Sequence, residues 1–413
     1  MNVAGELDCR TGAFLKIVLL SFTIFAFIAL LNEIADAQTY SVLYEFTGGA
    51  DGSDPNDVTR DSAGNLYGTT VGGGTTVYGT VFKLDTSGKK TILHNFLGGS
   101  DGNAPYGKLV RDSAGNLYGT TEFGGNTSVM CEGSPGCGTV FKISPTGKET
   151  ILYKFTGGTD GGMPLAGLWR DSSGNLYGTT SGGGNIGCNY IAIGCGVVFK
   201  VTPTGKESVL YAFAGPNDGG YSGSPVIRDS AGNLYGMTSG YGTNTFGTIF
   251  KISPSGKESV LHAFNGTDGA QPWGALIRDS KGTLYGTTYN GGITSDCGGD
   301  GCGIVFKLSL TGKLTVLHSF TGGSDGSRPI AGLVEDSKGN LYGTAAVGGL
   351  GPNCCGVLYE ITQDDQELEL YTFTGLNDGG SPVSGLTMDS AGNLYGSALL
   401  GTYGYGVIFK LTP

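Results

Sequence analysis

After residue 37 apolar residues come in short runs of three to six, each closed by a turn sequence, and no helical spacing develops between them. One stretch reads Leu109-Val110-Arg111, Leu117-Tyr118-Gly119-Thr120, Thr139-Val140-Phe141-Lys142-Ile143 and Thr150-Ile151-Leu152-Tyr153-Lys154-Phe155. Asp112-Ser113-Ala114-Gly115 follows the first run and Ser144-Pro145-Thr146-Gly147 the third, where glycine supplies the positive φ that a tight turn needs. Short β-rich runs separated by turns predict four antiparallel strands in succession.

The group of four then returns. Asn65-Leu66-Tyr67-Gly68 recurs in variant form at residues 116, 175, 233, 283, 340 and 393, at spacings of 51, 59, 58, 50, 57 and 53. Phrases like Gly79-Thr80-Val81-Phe82-Lys83 and Leu152-Tyr153-Lys154-Phe155 keep the same register through all seven copies. Four strands per period and seven periods predict an all-β fold, a seven-bladed β-propeller. The mature chain opens with the phrase that ends a period, so Ser41 to Phe46 is expected beside Val407 to Leu411, one blade drawing on both termini. An open solenoid would need capping repeats and no such offset.

The phrases D-S-x-G-N-L-Y-G-T, G-T-V-F-K and G-G-x-D-G resemble the GloVer-type, or choice-of-anchor, tandem repeat of exported bacterial proteins, over residues 40 to 413. That resemblance implies export and a propeller-like repeat, and carries no activity with it. Anchored members continue past the repeat; here Pro413 directly follows the last expected strand, so no C-terminal anchor is expected.

Residues 1–37 read differently from the rest. Arg10 and Lys16 precede an uncharged apolar stretch from Ile17 to Leu31, and Ala35-Asp36-Ala37 forms an A-x-A site before Gln38, the order of a secretory signal peptide. Fifteen apolar residues fall short of the roughly 20 a spanning helix wants. The expected organisation is a leader over 1–37 and one propeller domain over 38–413, secreted or at the cell surface, with no membrane span after cleavage. A net charge of −11 repels phosphate backbones, so nucleic acid is not an expected partner.

Most chemistry-bearing residues take repeat positions with a structural explanation. His94, His262 and His318 stand where other copies have tyrosine, on the expected outer strand. Arg60, Arg111, Arg170, Arg228 and Arg278 share one inner-strand position, where pairing with neighbouring carboxylates is expected. Seven aspartates, among them Asp101 and Asp160, occupy G-G-x-D-G loops whose carboxylates are expected to bond backbone amides. No D-x-[DN]-x-[DN]-G loop gathers the oxygens calcium wants, and neither a metal nor a cofactor is expected.

The cysteines say more. Cys9 falls within the leader and leaves an even eight. Cys131 with Cys137, Cys188 with Cys195, Cys297 with Cys302 and the adjacent Cys354 and Cys355 all lie between the second and third strands, and in an exported protein such pairs predict disulfides. The Cys354-Cys355 pair strains ordinary disulfide geometry.

Loops after the second and fourth strands should share one face and carry nearly all the length variation, which is where binding is usually built. The expected function is a binding or scaffold module at the cell surface, its partner an extracellular polysaccharide or a surface protein. The alternative is a polysaccharide-acting glycosidase or lyase using carboxylates on the same face. Following the proline of the loop that leads into the inner strand, several blades carry an aromatic or apolar residue: Tyr106, Leu165, Trp273, Ile330 and Val383. Trp273 and Tyr106 are the candidate carbohydrate contacts, because an aromatic body beside acidic loops suits a sugar face.

Overall fold

The computed structural model describes residues 38–185, 194–240, 246–293, 295, 297–349 and 355–412, and Tyr40–Thr412 form one compact unit. The expected leader and its cleavage site lie outside the described residues.

Seven antiparallel blades form a propeller, and in all but the last the four blade strands follow chain order from the central channel outwards. The third blade is typical, with Trp169–Arg170 innermost, then Leu176–Thr179, Val197–Val201 and Glu207–Ala212. The last blade takes its outer strand, Thr39–Glu45, from the start of the chain and pairs it with Val407–Thr412. The Phe46 amide continues that contact, donating to the Gly406 carbonyl at 2.9 Å. Two small features go beyond the expected pattern: Ser53–Pro55 adds a fifth strand to the first blade, and Met130–Cys131 and Ser134–Pro135 form a hairpin inside a cysteine loop.

The repeated phrases become legible as contacts. In the third blade Asp171 accepts hydrogen bonds from the Asn175 amide at 2.8 Å, the Asn175 side chain at 2.8 Å and the Tyr177 hydroxyl at 3.1 Å. Burial works to raise this carboxyl, and the hydrogen bonds from Asn175 and Tyr177 outweigh it, leaving Asp171 below the usual carboxylate range. Gly178 completes the phrase because a Cβ there would meet Phe199 at 2.6 Å. Phe199 belongs to an aromatic ring shared between blades: Phe155, closing the outer strand of the second blade, meets it edge-on at 5.0 Å. The same pairing joins Phe373 to Phe409 at 5.3 Å and Phe46 to Phe82 at 5.5 Å, across the closure. Each such pair contributes about 0.5–1.5 kcal/mol beyond its buried area. In the sixth blade Tyr359 replaces phenylalanine, fully buried, and its hydroxyl has no partner among the described residues.

The arginines join the seams chiefly by lying over aromatic rings, with a carboxylate in reach for Arg60, where pairing with carboxylates was expected throughout. Arg60 approaches Asp389 of the last blade at 3.8 Å and lies 5.5 Å over Tyr395, while Arg111 and Arg170 lie over Tyr67 and Tyr118 at 5.5 and 5.4 Å. The outer rim repeats another motif. Tyr153 donates to Asp160 at 2.9 Å, and in other copies His262 meets Asp268 at 3.0 Å and His318 meets Asp325 at 3.2 Å. The loop aspartates also accept backbone amides, as Asp160 does from Thr156 at 2.9 Å. A glutamate of the following blade faces several of these pairs: burial, then Asp160, pushes Glu207 up to about 7, and burial, then Asp218, does the same to Glu258.

Candidate functional site

Loops after the second and fourth strands lie together on one face. The Gly125 amide donates to Gly99 at 2.8 Å and the Gly184 amide to Gly158 at 2.8 Å, each tying a loop after a second strand to the G-G-x-D-G loop of the preceding blade. The residue before the glycine that opens each phrase of the Gly79-Thr80-Val81-Phe82-Lys83 type covers that junction. It is Cys137, Cys195, Cys302 or Cys355 in four blades and Tyr78, Phe246 or Tyr405 in the other three. A Cβ on Gly157 would meet the Cys137 and Cys131 sulfurs at 2.7 and 2.8 Å, and one on Gly98 would meet the Tyr78 ring at 2.8 Å. Disulfide and aromatic ring therefore serve as alternative lids over the same glycine.

The Cys131–Cys137 and Cys297–Cys302 bridges are present. Cys195 is disulfide-bonded and Cys355 is buried, while Cys188 and Cys354 lie outside the described residues.

The carbonyl of each lid residue accepts an amide from the next blade, and the donor is unusual. Asp54, Ala104, Met163, Tyr221, Gln271, Arg328 and Ser381 occupy this one repeat position, all with φ between 52° and 58°. The Met163 amide donates to Cys137 at 2.8 Å and the Gln271 amide to Phe246 at 2.8 Å. Left-handed backbone at a non-glycine residue costs about 1–2 kcal/mol. Among the described residues glycine serves at 51 other positive-φ positions, so seven varied side chains at this one stand against a strain that glycine would remove. They ring the loop-face entrance just before the segment that lines the channel.

Below them lies a cavity of about 1370 Å³, formed by the inner strands and the segments leading into them. Tyr106, Leu165, Trp273, Ile330 and Val383 all line it, so one repeat position forms an apolar girdle and brings both candidate aromatics to the same space. Trp273 is half-buried, packs over Gly223, where a Cβ would come within 2.5 Å of it, and meets Tyr221 edge-on at 5.7 Å. Tyr106 is 40% exposed, the larger free aromatic face.

Sequence reasoning missed three further lining groups. Trp169, set among packing residues of an inner strand, is half-buried in the channel wall with Arg228 lying 5.6 Å over its ring. Lys108 stands where the first blade has Asp57 and the others have glycine, alanine or proline, and donates across the short inner segment of the first blade to Thr387 at 2.9 Å. Burial lowers its pKa against the opposing influence of Asp57. Glu122, beside Tyr106, is pushed up to about 7 by burial and then by Glu132. Aligning the repeats would have exposed Glu122 as a charge at an otherwise uncharged position and Lys108 as a cation where the first blade has Asp57; nothing in the sequence aims them into a channel.

Among the solved structures that resemble this fold are two of one domain. Both show the extracellular domain of a B. thetaiotaomicron protein, described as a one component system in one and a hybrid two component system in the other. They are 12% and 13% identical with TM-scores of 0.55, and each match covers 90% of this chain. The chain spans only about 40% of those longer chains, and such distant likeness speaks to fold alone. Among curated proteins no relative matches. The repeat itself is matched at residues 29–193, 186–299 and 259–413, together spanning the propeller, and the chain belongs to the Gloeobacter/Verrucomicrobia repeat family.

Proposed function

We propose that the protein is an exported binding module that holds a carbohydrate at the loop-face entrance of its channel, between Tyr106 and Trp273. The observation that carries this reading is the apolar girdle with its two aromatic members, set beneath seven side chains kept at strained positions. Aromatic faces take the apolar side of a pyranose, and Asp54 and Glu122 near Tyr106 can accept its hydroxyl protons. Disulfides fit an oxidising, extracytoplasmic location, and among the described residues no helix is long and apolar enough to cross a membrane. A glycan array probed with wild type and with Trp273→Ala tests the reading. The expected result is a restricted set of hits that Trp273→Ala loses; an identical hit set for both proteins rejects the site.

One observation favours catalysis as a second reading. Glu122, pushed up to about 7, lines the same cavity as Asp54, and a glycosidic bond is cleaved by two carboxyl groups, one protonated and one ionised, acting together. Time-course analysis of the array hits for shortened products separates the two, with Glu122→Gln abolishing any cleavage that belongs to this site.

A further inference from the structure

The rim seam between the first and second blades departs from its equivalents. His94 comes from the outer strand Lys90–Asn95, Asp101 from the loop that follows, and Glu149 opens the outer strand of the next blade. His94 Nε2 stands 3.6 Å from Asp101 Oδ2 and 3.6 Å from Glu149 Oε1. Those separations are too long for hydrogen bonds. At the equivalent seams the histidine bonds its aspartate directly, at 3.0 Å for His262 and 3.2 Å for His318. Here His94 Nε2 is instead a buried atom without a hydrogen-bond partner among the described residues, and it faces Glu149 Oε1, which, like Oε1 of Glu207, Glu258 and Glu367 at the same repeat position, is buried and unpartnered as well. The three side chains are only 14–16% exposed, so two carboxylates and an imidazole face one another largely shielded from water.

We propose that His94, Asp101 and Glu149 form a divalent-cation site that fastens the first blade to the second, with zinc the ion their chemistry suits best. One imidazole nitrogen and two carboxylate oxygens make a zinc donor set, and three protein ligands leave a fourth position for water. Two donors about 2.0–2.2 Å from one ion at a tetrahedral angle lie ~3.3–3.6 Å apart, the spacing found at His94. Among the described residues these are the only three such groups whose ligand atoms all fall within 4.8 Å of one another.

The neighbouring seam supplies an independent argument. Lys90 stands in the first blade where Glu149 stands in the second, and its ammonium donates to the Asp51 carbonyl and lies 4.2 Å over the Phe46 ring. The fold therefore already seats a cation at this position, provided there by the chain itself. One blade on, Glu149 stands there, as Glu207, Glu258 and Glu367 do in later blades, but only Glu149 closes on a histidine and an aspartate within 4.8 Å among the described residues, where a cation from solution could take the place of the ammonium. Sequence spacing hides the site because its ligands belong to two repeats.

Residues 38–413, stripped with chelator, would be titrated with zinc by calorimetry and melted with and without it, magnesium and calcium serving as comparators. One zinc per chain is expected, with a melting rise of about 3–5 °C at a hundredfold excess over Kd, and no matching response to magnesium. Cobalt(II) should give the visible bands of a tetrahedral site. His94→Tyr restores the residue of the tyrosine seams and Glu149→Lys copies the Lys90 seam, so both should fold; both should lose the zinc response, and Glu149→Lys should melt above the metal-free wild type. Absence of stoichiometric zinc binding, or an undiminished response in His94→Tyr, overturns the proposal.

Discussion

The two faces of the propeller are made by the same seven repeats and treat repetition in opposite ways. On the turn face an aspartate, an asparagine and a tyrosine form the same clamp nearly every time; only Thr283, which keeps its 2.8 Å amide bond to Asp279, departs at the asparagine position. On the loop face the lid is a disulfide in some blades and an aromatic ring in others, loop lengths differ, and the seven strained positions carry seven different side chains. Identical solutions mark where the ring needs only stability. Varied side chains over a constant backbone are what the proposed binding face calls for, since the hydrogen bonds hold the geometry whatever side chain is present.

The largest expected effect lies on the turn face. Asp171→Ala removes an ionised acceptor from three donors and should cost about 2–4 kcal/mol by urea unfolding, without altering glycan recognition. A loss of binding equal to the loss of stability would erase the contrast between the faces. On the loop face, Cys131→Ala with Cys137→Ala should cost about 2 kcal/mol for so short a closed loop. Cys131→Ala with Cys137→Tyr, which copies the Tyr78 lid, should recover part of that loss. No recovery would show that the two lids are not interchangeable.

The seams sharpen the comparison through pH. The clamp aspartates, with pKa lowered from 3.8, contribute stability that is present above that value and lost as pH falls through their lower folded pKa. Glu207 and Glu258 run the other way. Their folded pKa is raised from 4.5 to about 7, so the stability of their protonated form is full below 4.5 and lost as pH rises through 7. Melting temperature should therefore peak in the mildly acidic range, and Glu207→Gln with Glu258→Gln should melt higher than wild type at pH 8 with little change at pH 5. A wild-type curve that climbs from pH 5 to 8 would contradict this assignment.

The smallest stability change belongs to the entrance. Gln271→Gly relieves a φ of 53° and should gain up to about 1 kcal/mol while weakening ligand binding. A stabilised variant with unimpaired binding would mean that the strained ring does not read the ligand.

The fold was legible because its signals are local and repeated. Turn glycines, short β-rich runs and the offset between the termini specify blades, their number and closure before any distance is known. The bridge Cys131–Cys137 was legible for the same reason. The cavity was not, since it is made by single residues from different blades, and sequence spacing carries no information on what meets across a channel. Trp169 shows the limit: at an inner-strand position its packing role against Tyr177, 5.7 Å away, and its place in the channel wall are indistinguishable in sequence. The fifth strand of the first blade was missed because Ser53-Asp54-Pro55 lacks an apolar pattern and pairs only through its position beside Leu66–Gly72.

The central claim is that the girdle at the loop-face entrance holds a sugar between Trp273 and Tyr106. Its most direct test is a fluorescence titration of wild type, Trp273→Ala and Tyr106→Ala with the oligosaccharide that ranks highest on the array. The account predicts a saturable change in wild type and at least a tenfold rise in Kd in each variant, about 1.4 kcal/mol or more per aromatic contact, with melting temperatures within about 2 °C of wild type. Equal affinity in all three proteins would contradict it.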